Sequence, residues 1–290
     1  MKIGIEMSAD ETGFSHGQQY CRACFKEGSS PSWHTGPKEE FEEKLVRWTL
    51  RPNPGYWGDS TPKILVLGFS KGGDQQEMID LYLKGEKHYE DIPFNSTKGS
   101  MRKDLAEVLW TLKVVERDKP IDPLFENGGN GFGFASIVRC SVEMTLPGKE
   151  PSSTGNGILS HTIKAPLSFV SRCIERHLLN APNSVKLVIL LSADKKYVRA
   201  CYSRLTGKTV RKGDKIHYVY SALGKTFVHV PHPSGQAVGF RNVFNGKRPP
   251  NKKEKGMITC REQALTAVVD ALKDQHFAGV DQNSNSIFGS

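Results

Sequence analysis

Four cysteines and one histidine are the residues of this chain whose type and spacing best suit chemistry. The cysteines stand as Cys21-x2-Cys24, then Cys140, then Cys173, and the histidine lies in Val230-Pro231-His232-Pro233-Ser234. Thiolates in a C-x2-C turn grip one metal or cluster from two sides, and two more complete a four-sulfur set. Ligand count suits zinc or a 4Fe–4S cluster equally well, and unliganded thiols are the third reading. Cys201 and Cys260 have no such pattern and read as buried fillers. His232 follows the apolar run Val228–Val230 and sits between two prolines, which stiffen its loop. An isolated H-P-S is common in unrelated proteins, so its weight comes from its place in the chain.

The elements that must position these residues read as strands alternating with helices. Apolar β runs are KILVLG (Lys63–Gly68), GFGFASIVRC (Gly131–Cys140) and KLVILL (Lys186–Leu191). KIHYVYSALGKTFVHV alternates around a Leu-Gly turn and reads as a hairpin leading into His232. Helical spacing covers Glu39–Leu50, Met78–Leu83, Met101–Val114, Ala165–Leu179, Asp194–Leu205 and Arg261–Lys273. RPNPGYWGDSTP reads as a turn-rich connector, and Met144 to about Lys164 as a long surface loop. Between KILVL and the next helix lies Gly68-Phe69-Ser70-Lys71-Gly72-Gly73-Asp74. A strand running into a glycine loop puts backbone N–H groups at the carboxyl edge of a sheet, where α/β ligand sites lie. The expected fold is three-layer α/β/α with a short, mostly parallel central sheet. Residues 1–20 are expected to be flexible, 21–275 to form one domain, and 276–290 to be a flexible tail.

A chain of 290 residues can bury a sizeable core, and its 40 Lys+Arg against 31 Asp+Glu give a net charge of +9. That balance fits an anionic partner such as nucleic acid. No window approaches the roughly 20 apolar residues needed to span a membrane. The N-terminus lacks the apolar core of a signal peptide, so the six cysteines argue for reduced thiols or a metal in the cytoplasm. No obligate protein partner is evident.

In order and spacing these motifs resemble the iron–sulfur branch of the uracil-DNA glycosylase superfamily. That branch carries a C-x2-C near its N-terminus, a strand ending in V-x-C, and a fourth cysteine opening a helix ahead of another apolar strand. Here Ile137-Val138-Arg139-Cys140 and Arg172-Cys173-Ile174-Glu175-Arg176 leading to KLVILL follow the same order. The interval between the last two cysteines is longer than usual, and the insert TLPGKEPSSTGNGILSHTIK accounts for it. The resemblance implies a structural 4Fe–4S cluster on Cys21, Cys24, Cys140 and Cys173, with zinc as the alternative. It implies that His232 donates a hydrogen bond to a departing base and that Ser234 contacts a phosphate. It places Gly68, Phe69, Phe94 and Ser136 around the base, with Phe94 stacking on it.

Two departures bear on substrate. Many relatives have G-E-x-P-G where this chain has Gly68-Phe69-Ser70-Lys71-Gly72, so Asp74 is the nearest carboxylate that can place water. Uracil-reading relatives often have Asn where Ser136 stands, and Ser cannot make the bidentate contact to a uracil edge. Arg241 and Lys247, just after the H-P-S loop, are the expected phosphate contacts. The expected function is a monofunctional DNA glycosylase. It would hydrolyse the N-glycosidic bond of a flipped damaged or modified base in duplex or single-stranded DNA and leave an abasic site. Base excision in repair is one setting. The other is antiviral defence, with removal of glucosylated hydroxymethylcytosine from phage DNA. A DNA-binding module that has lost catalysis is the rival class.

Overall fold

The apolar runs pair side by side, because strands buried on both faces exclude water only when stacked between layers. The computed structural model describes residues 13–21, 23–25, 39–43, 46–97, 99–152, 168–211 and 213–273. Its strands are β1 (Gly17–Gln18), β2 (Glu39–Glu43), β3 (Val46–Arg51), β4 (Gly55–Gly58), β5 (Ile64–Gly68), β6 (Asn95–Ser96), β7 (Gly99–Ser100), β8 (Phe132–Ser136), β9 (Ser141–Thr145), β10 (Leu187–Leu191), β11 (Val219–Ala222) and β12 (Lys225–Val230). The α-helices are α1 (Gly73–Leu83), α2 (Arg102–Thr111), α3 (Ser168–Cys173), α4 (Lys195–Thr206), α5 (Val238–Phe244) and α6 (Gly256–Leu272).

Seven strands form the central sheet in the order β1-β4-β8-β5-β10-β12-β11. The four inner strands β8, β5, β10 and β12 run parallel, while β1, β4 and β11 are antiparallel additions at the edges. The sheet is therefore wider than the short one expected. One of these added strands, β4, lies inside the segment read as a connector and pairs with β1 and β8. Its four residues are buried despite the flanking prolines and glycines.

Side chains alternate across the sheet. Ile64 and Val66 of β5 point into one core layer with α2 and α6, and Leu65 and Leu67 point into the other. The second layer is closed by α3, by Tyr197 of α4, by Phe14, and by a small sheet of order β2-β3-β9. Helices thus flank both faces, giving an α/β fold compatible with three α/β/α layers. No described helix is long and apolar enough to cross a membrane.

The helix expected over Glu39–Leu50 is instead an antiparallel pair, β2 with β3, and β3 also pairs with β9. Val46, Trp48 and Leu50 share one buried face and Arg47 is exposed, while Thr49 of the other face is buried too, so only the first half of the strand alternates cleanly. Helical spacing and strand spacing share Trp48, and the partner strand β9 decides between them. Residues 13–20, expected to be flexible, carry β1 and the buried Phe14. The rest of that N-terminal stretch, residues 153–167 and the tail from 274 lie outside the described residues.

Local signals fix the other ends. Asp194 caps α4 by accepting from the N–H groups of Lys196 and Tyr197 at 2.9 and 3.1 Å. The hairpin turns at Leu223-Gly224, both with positive φ (53° and 68°), a geometry that glycine adopts without strain and leucine does not. Gly133, inside β8, is needed for a different reason. A Cβ there would lie 2.0 Å from the Tyr56 hydroxyl, which is locked onto the Asp59 carbonyl. Gly133→Ala is expected to destabilise the protein by about 1–3 kcal/mol through overpacking, read as a lower urea midpoint at unchanged slope.

Candidate functional site

The parallel ladder between β5 and β8 does not stop at its last strand pair, Gly68 opposite Ser136. Ile137 N–H donates to the Gly68 carbonyl at 2.9 Å and Val138 N–H to the Phe69 carbonyl at 2.8 Å. Lys71 then forms a parallel bridge with Ser141. The glycine loop and the segment carrying Cys140 are thus zipped together beyond the sheet edge. Asn53 anchors the second rail, accepting from Ser141 N–H at 2.7 Å and donating to its hydroxyl at 2.9 Å.

By the alternation of β5 and β8, Gly68 and Ser136 face the layer that holds Val66 and Phe134. A Cβ on Gly68 would lie 3.8 Å from Ser136 Oγ, so the two positions form one small-residue floor. Phe94 packs on the same side, 6.3 Å from the Phe134 ring and 6.1 Å from Phe125. Its φ is 55°, a conformation in which a bulky residue is strained. Such strain persists only where neighbours hold it. Here Met101 N–H donates to the Phe94 carbonyl at 2.9 Å. Buried Arg102 donates to the carbonyls of Pro93 and Glu90 and stacks over Phe125.

His232 leaves the carboxyl end of β12 toward the same edge, part-buried. Its Nδ1 accepts a 3.1 Å bond from Ser234 N–H. Burial, with Arg241 nearby, pulls its pKa down to about 4. The imidazole is therefore neutral near pH 7. With Nδ1 as acceptor, its proton is on Nε2, which becomes a donor.

Arg241 has a different role from the phosphate contact expected of it. It is 3% exposed, and its guanidinium pairs with Asp104 at 2.8 Å. The same group donates to the carbonyls of Ser234 at 2.9 Å and His232 at 3.5 Å. Asp104 is in the first turn of α2, which starts beside the Phe94 turn. One ion pair therefore connects the Phe94 side of the site to the His232 loop. Lys247 is half exposed and pairs with Glu107 at 2.6 Å, so it retains a surface position. Ser234 is part-buried, and its backbone serves both His232 and Arg241.

Phe69 and Asp74 are not brought to this floor. Phe69 lies in the opposite layer, edge-on to Tyr197 at 6.2 Å, so it is a packing residue rather than a wall beside Phe94. Asp74 is exposed in the first turn of α1, where a carboxylate also suits the helix N-terminus.

The four cysteines converge from three segments on the face opposite Phe94. Cys21, Cys140 and Cys173 are buried and Cys24 is part-buried. Cys24 and Cys173 share a hydrogen bond that pulls the Cys24 thiol down and pushes Cys173 up. Burial pushes up Cys21 and Cys140, and each thiol feels the charge of at least one other. Among the described residues, no three Cys, His, Asp or Glu side chains are already gathered as ligands of one ion. Cys173 ends α3 and is followed by a π-helical turn, Ile174–Leu178, a distortion frequent at functional sites.

Two cations to which the sequence reading gave no role stand beside these thiols. Lys71 is 1% exposed and Arg139 2% exposed. Lys71 Nζ donates to the Arg139 carbonyl, and Arg139 lies over the rings of Phe14 and Tyr56 at 4.9 and 5.6 Å. Burial pulls Lys71 down to about 8 and Arg139 to about 10, so both stay charged near neutral pH. Among the described residues neither pairs with a carboxylate. Their nearby ionisable groups include Cys140 and Cys173 for Lys71, and Tyr56, Cys173 and Cys21 for Arg139. Burying an unpaired charge costs several kcal/mol, so the surroundings call for negative charge. A four-thiolate metal centre is negatively charged, and this donor set therefore fits one.

Arg241→Met is expected to lower stability by about 3–5 kcal/mol, since it strands Asp104 and two loop carbonyls. In a DNA-binding titration the slope of log K against log salt should stay the same, because a buried guanidinium releases no phosphate counterion. No protein-family model matches the chain, and no curated protein matches it significantly.

Proposed function

We propose that this protein is a monofunctional DNA glycosylase of the uracil-DNA glycosylase type that carries a structural metal centre. The reading rests on His232 above all. A neutral imidazole with a fixed acceptor at Nδ1 offers Nε2–H at the carboxyl edge of the same sheet whose strands β5 and β8 end in the small-residue floor. Breaking a nucleoside C1′–N bond puts negative charge on the departing base and positive charge on the sugar. A donor already in place stabilises that charge without reorganisation. Phe94 supplies a face for an extruded base, and Gly68 and Ser136 leave room beneath it.

Water is the attacking group in this reading. Lys71, the lysine nearest the floor, turns its Nζ to the Arg139 carbonyl and away from a reacting sugar. Asp74, exposed at the start of α1, is not brought to the floor, so this reading assigns no carboxylate to the water. Cys21, Cys24, Cys140 and Cys173 would hold a 4Fe–4S cluster or zinc, which would tie three distant segments together. Metal-binding free energy of this kind is coupled to folding. Lys71 and Arg139 support the reading, because they balance an anionic centre. A modified cytosine, such as a glucosylated one in phage DNA, is the second substrate class. The absence of a large side chain at Ser136 and of any at Gly68 favours it.

The test is single-turnover excision on DNAs that carry uracil, other deaminated bases or modified cytosines, with alkali revealing abasic sites. His232→Ala should cut the rate by about 10²–10³ and keep DNA affinity. The parent rate should show no break near pH 6.5, the ordinary histidine value, because His232 takes up a proton only near pH 4. Normal excision by His232→Ala would remove this assignment. No release of any base by the parent would leave the DNA-binding module in its place. In the same preparation, native thiols Cys21, Cys24, Cys140 and Cys173 should resist alkylation until a chelator is added.

A further inference from the structure

The positions of Lys71 and Arg139 carry the argument beyond the presence of a centre. Lys71 belongs to the glycine loop by sequence and to the cysteine centre by location. Its backbone bridges Ser141, its ammonium reaches the carbonyl of Arg139, and its nearby charges include Cys140 and Cys173. At the other end of the loop, Gly68 and Phe69 accept from Ile137 and Val138. No solvent shares the charge, since the side chain is 1% exposed. Surface lysines do not behave this way; they keep the ammonium in water and bury only the stem.

We infer that Lys71 is a tether that couples occupancy of the four-cysteine centre to the order of the Gly68–Gly73 loop, and hence to the base floor. The inference rests on the proposed metal centre and adds to it a positioning residue. With a negatively charged centre in place, the buried ammonium is balanced and the loop is held. With neutral thiols the ammonium has no counter-charge, and the loop is free of that hold. Linkage makes the effect mutual: whatever the centre contributes to the loop, Lys71 contributes to retention of the metal. Arg139 adds a second positive charge from the opposite rail, fixed by Phe14 and Tyr56.

The experiment compares the full-length parent with Lys71→Met and Lys71→Arg, all purified without oxygen. Iron and zinc content, the rate of metal release to a chelator and, for iron, the midpoint potential are measured. Lys71→Met should release metal about tenfold faster or more, the scale expected for losing one nearby charge at partial burial. Its potential should move to a more negative value, because the oxidised centre loses less than the reduced one when a cation is removed. Lys71→Arg should restore both. Hydrogen exchange on the parent supplies the arm that needs no variant. Peptides covering residues 68–74 should lose protection on chelation while those of Leu187–Leu191 keep it.

Metal-loaded parent with Lys71→Met unchanged in release and potential would overturn the tether alone. Uniform loss of protection across the sheet would overturn it too, since coupling would then be to the whole fold. A parent that binds neither iron nor zinc would remove the metal centre itself and the tether with it.

Discussion

The structure depends on a ladder that continues past the end of its sheet. Beyond Gly68 and Ser136, hydrogen bonds still join the two chains through Ile137, Val138 and the Lys71–Ser141 bridge. Two rails that would otherwise diverge are held at strand spacing. One carries the glycine loop, and the other carries Arg139 and Cys140. A backbone pairing of this type is indifferent to side chains, so it can place a small-residue floor on one face and thiols on the other. The sheet separates the small-residue floor from the thiols and their buried cations by little more than the thickness of the backbone.

Charge is distributed with the same economy. Near the floor, His232 is kept neutral, and the buried guanidinium groups of Arg241 and Arg102 are balanced by Asp104 and Asp122. Near the thiols, two buried cations lack a carboxylate among the described residues. The first arrangement suits a donor that must not carry charge before the reaction. The second suits a permanent anionic group. Neither would be stable with the charges exchanged, because a low-dielectric interior penalises an unbalanced charge far more than water does.

Much of the scaffold was legible because its strands are of the kind that sequence shows best. ILVLG, FGFAS and LVILL are continuous apolar runs, which only a doubly covered sheet accommodates, and the hairpin carried its own turn residues. What failed did so for physical reasons. Residues 39–50 offer both a helical and an alternating pattern, and only the distant partner β9 resolves them. β4 hides among prolines and glycines that usually mark loops. Arg241 was read as a phosphate contact, and Lys71 and Arg139 were given no role, because a one-dimensional pattern does not reveal which charges find buried neighbours. Phe69 was assigned to the floor from its place after β5. The alternation of that strand, carried one residue further, already turns it the other way.

The four thiols are gathered from positions far apart in the chain, and that separation has a consequence during synthesis. Cys21 and Cys24 leave the ribosome first, and Cys173 follows ~150 residues later, on the order of ten seconds at about 5–20 residues per second. Phe14, which packs against Tyr56, must also wait for its neighbours from β4 onward. For that interval the nascent chain presents an open pair of closely spaced thiols, able to trap the wrong ion or to oxidise to a disulfide. Maturation of the proposed centre is therefore a problem of timing as well as affinity, and it requires the early pair to stay reduced until Cys173 has emerged.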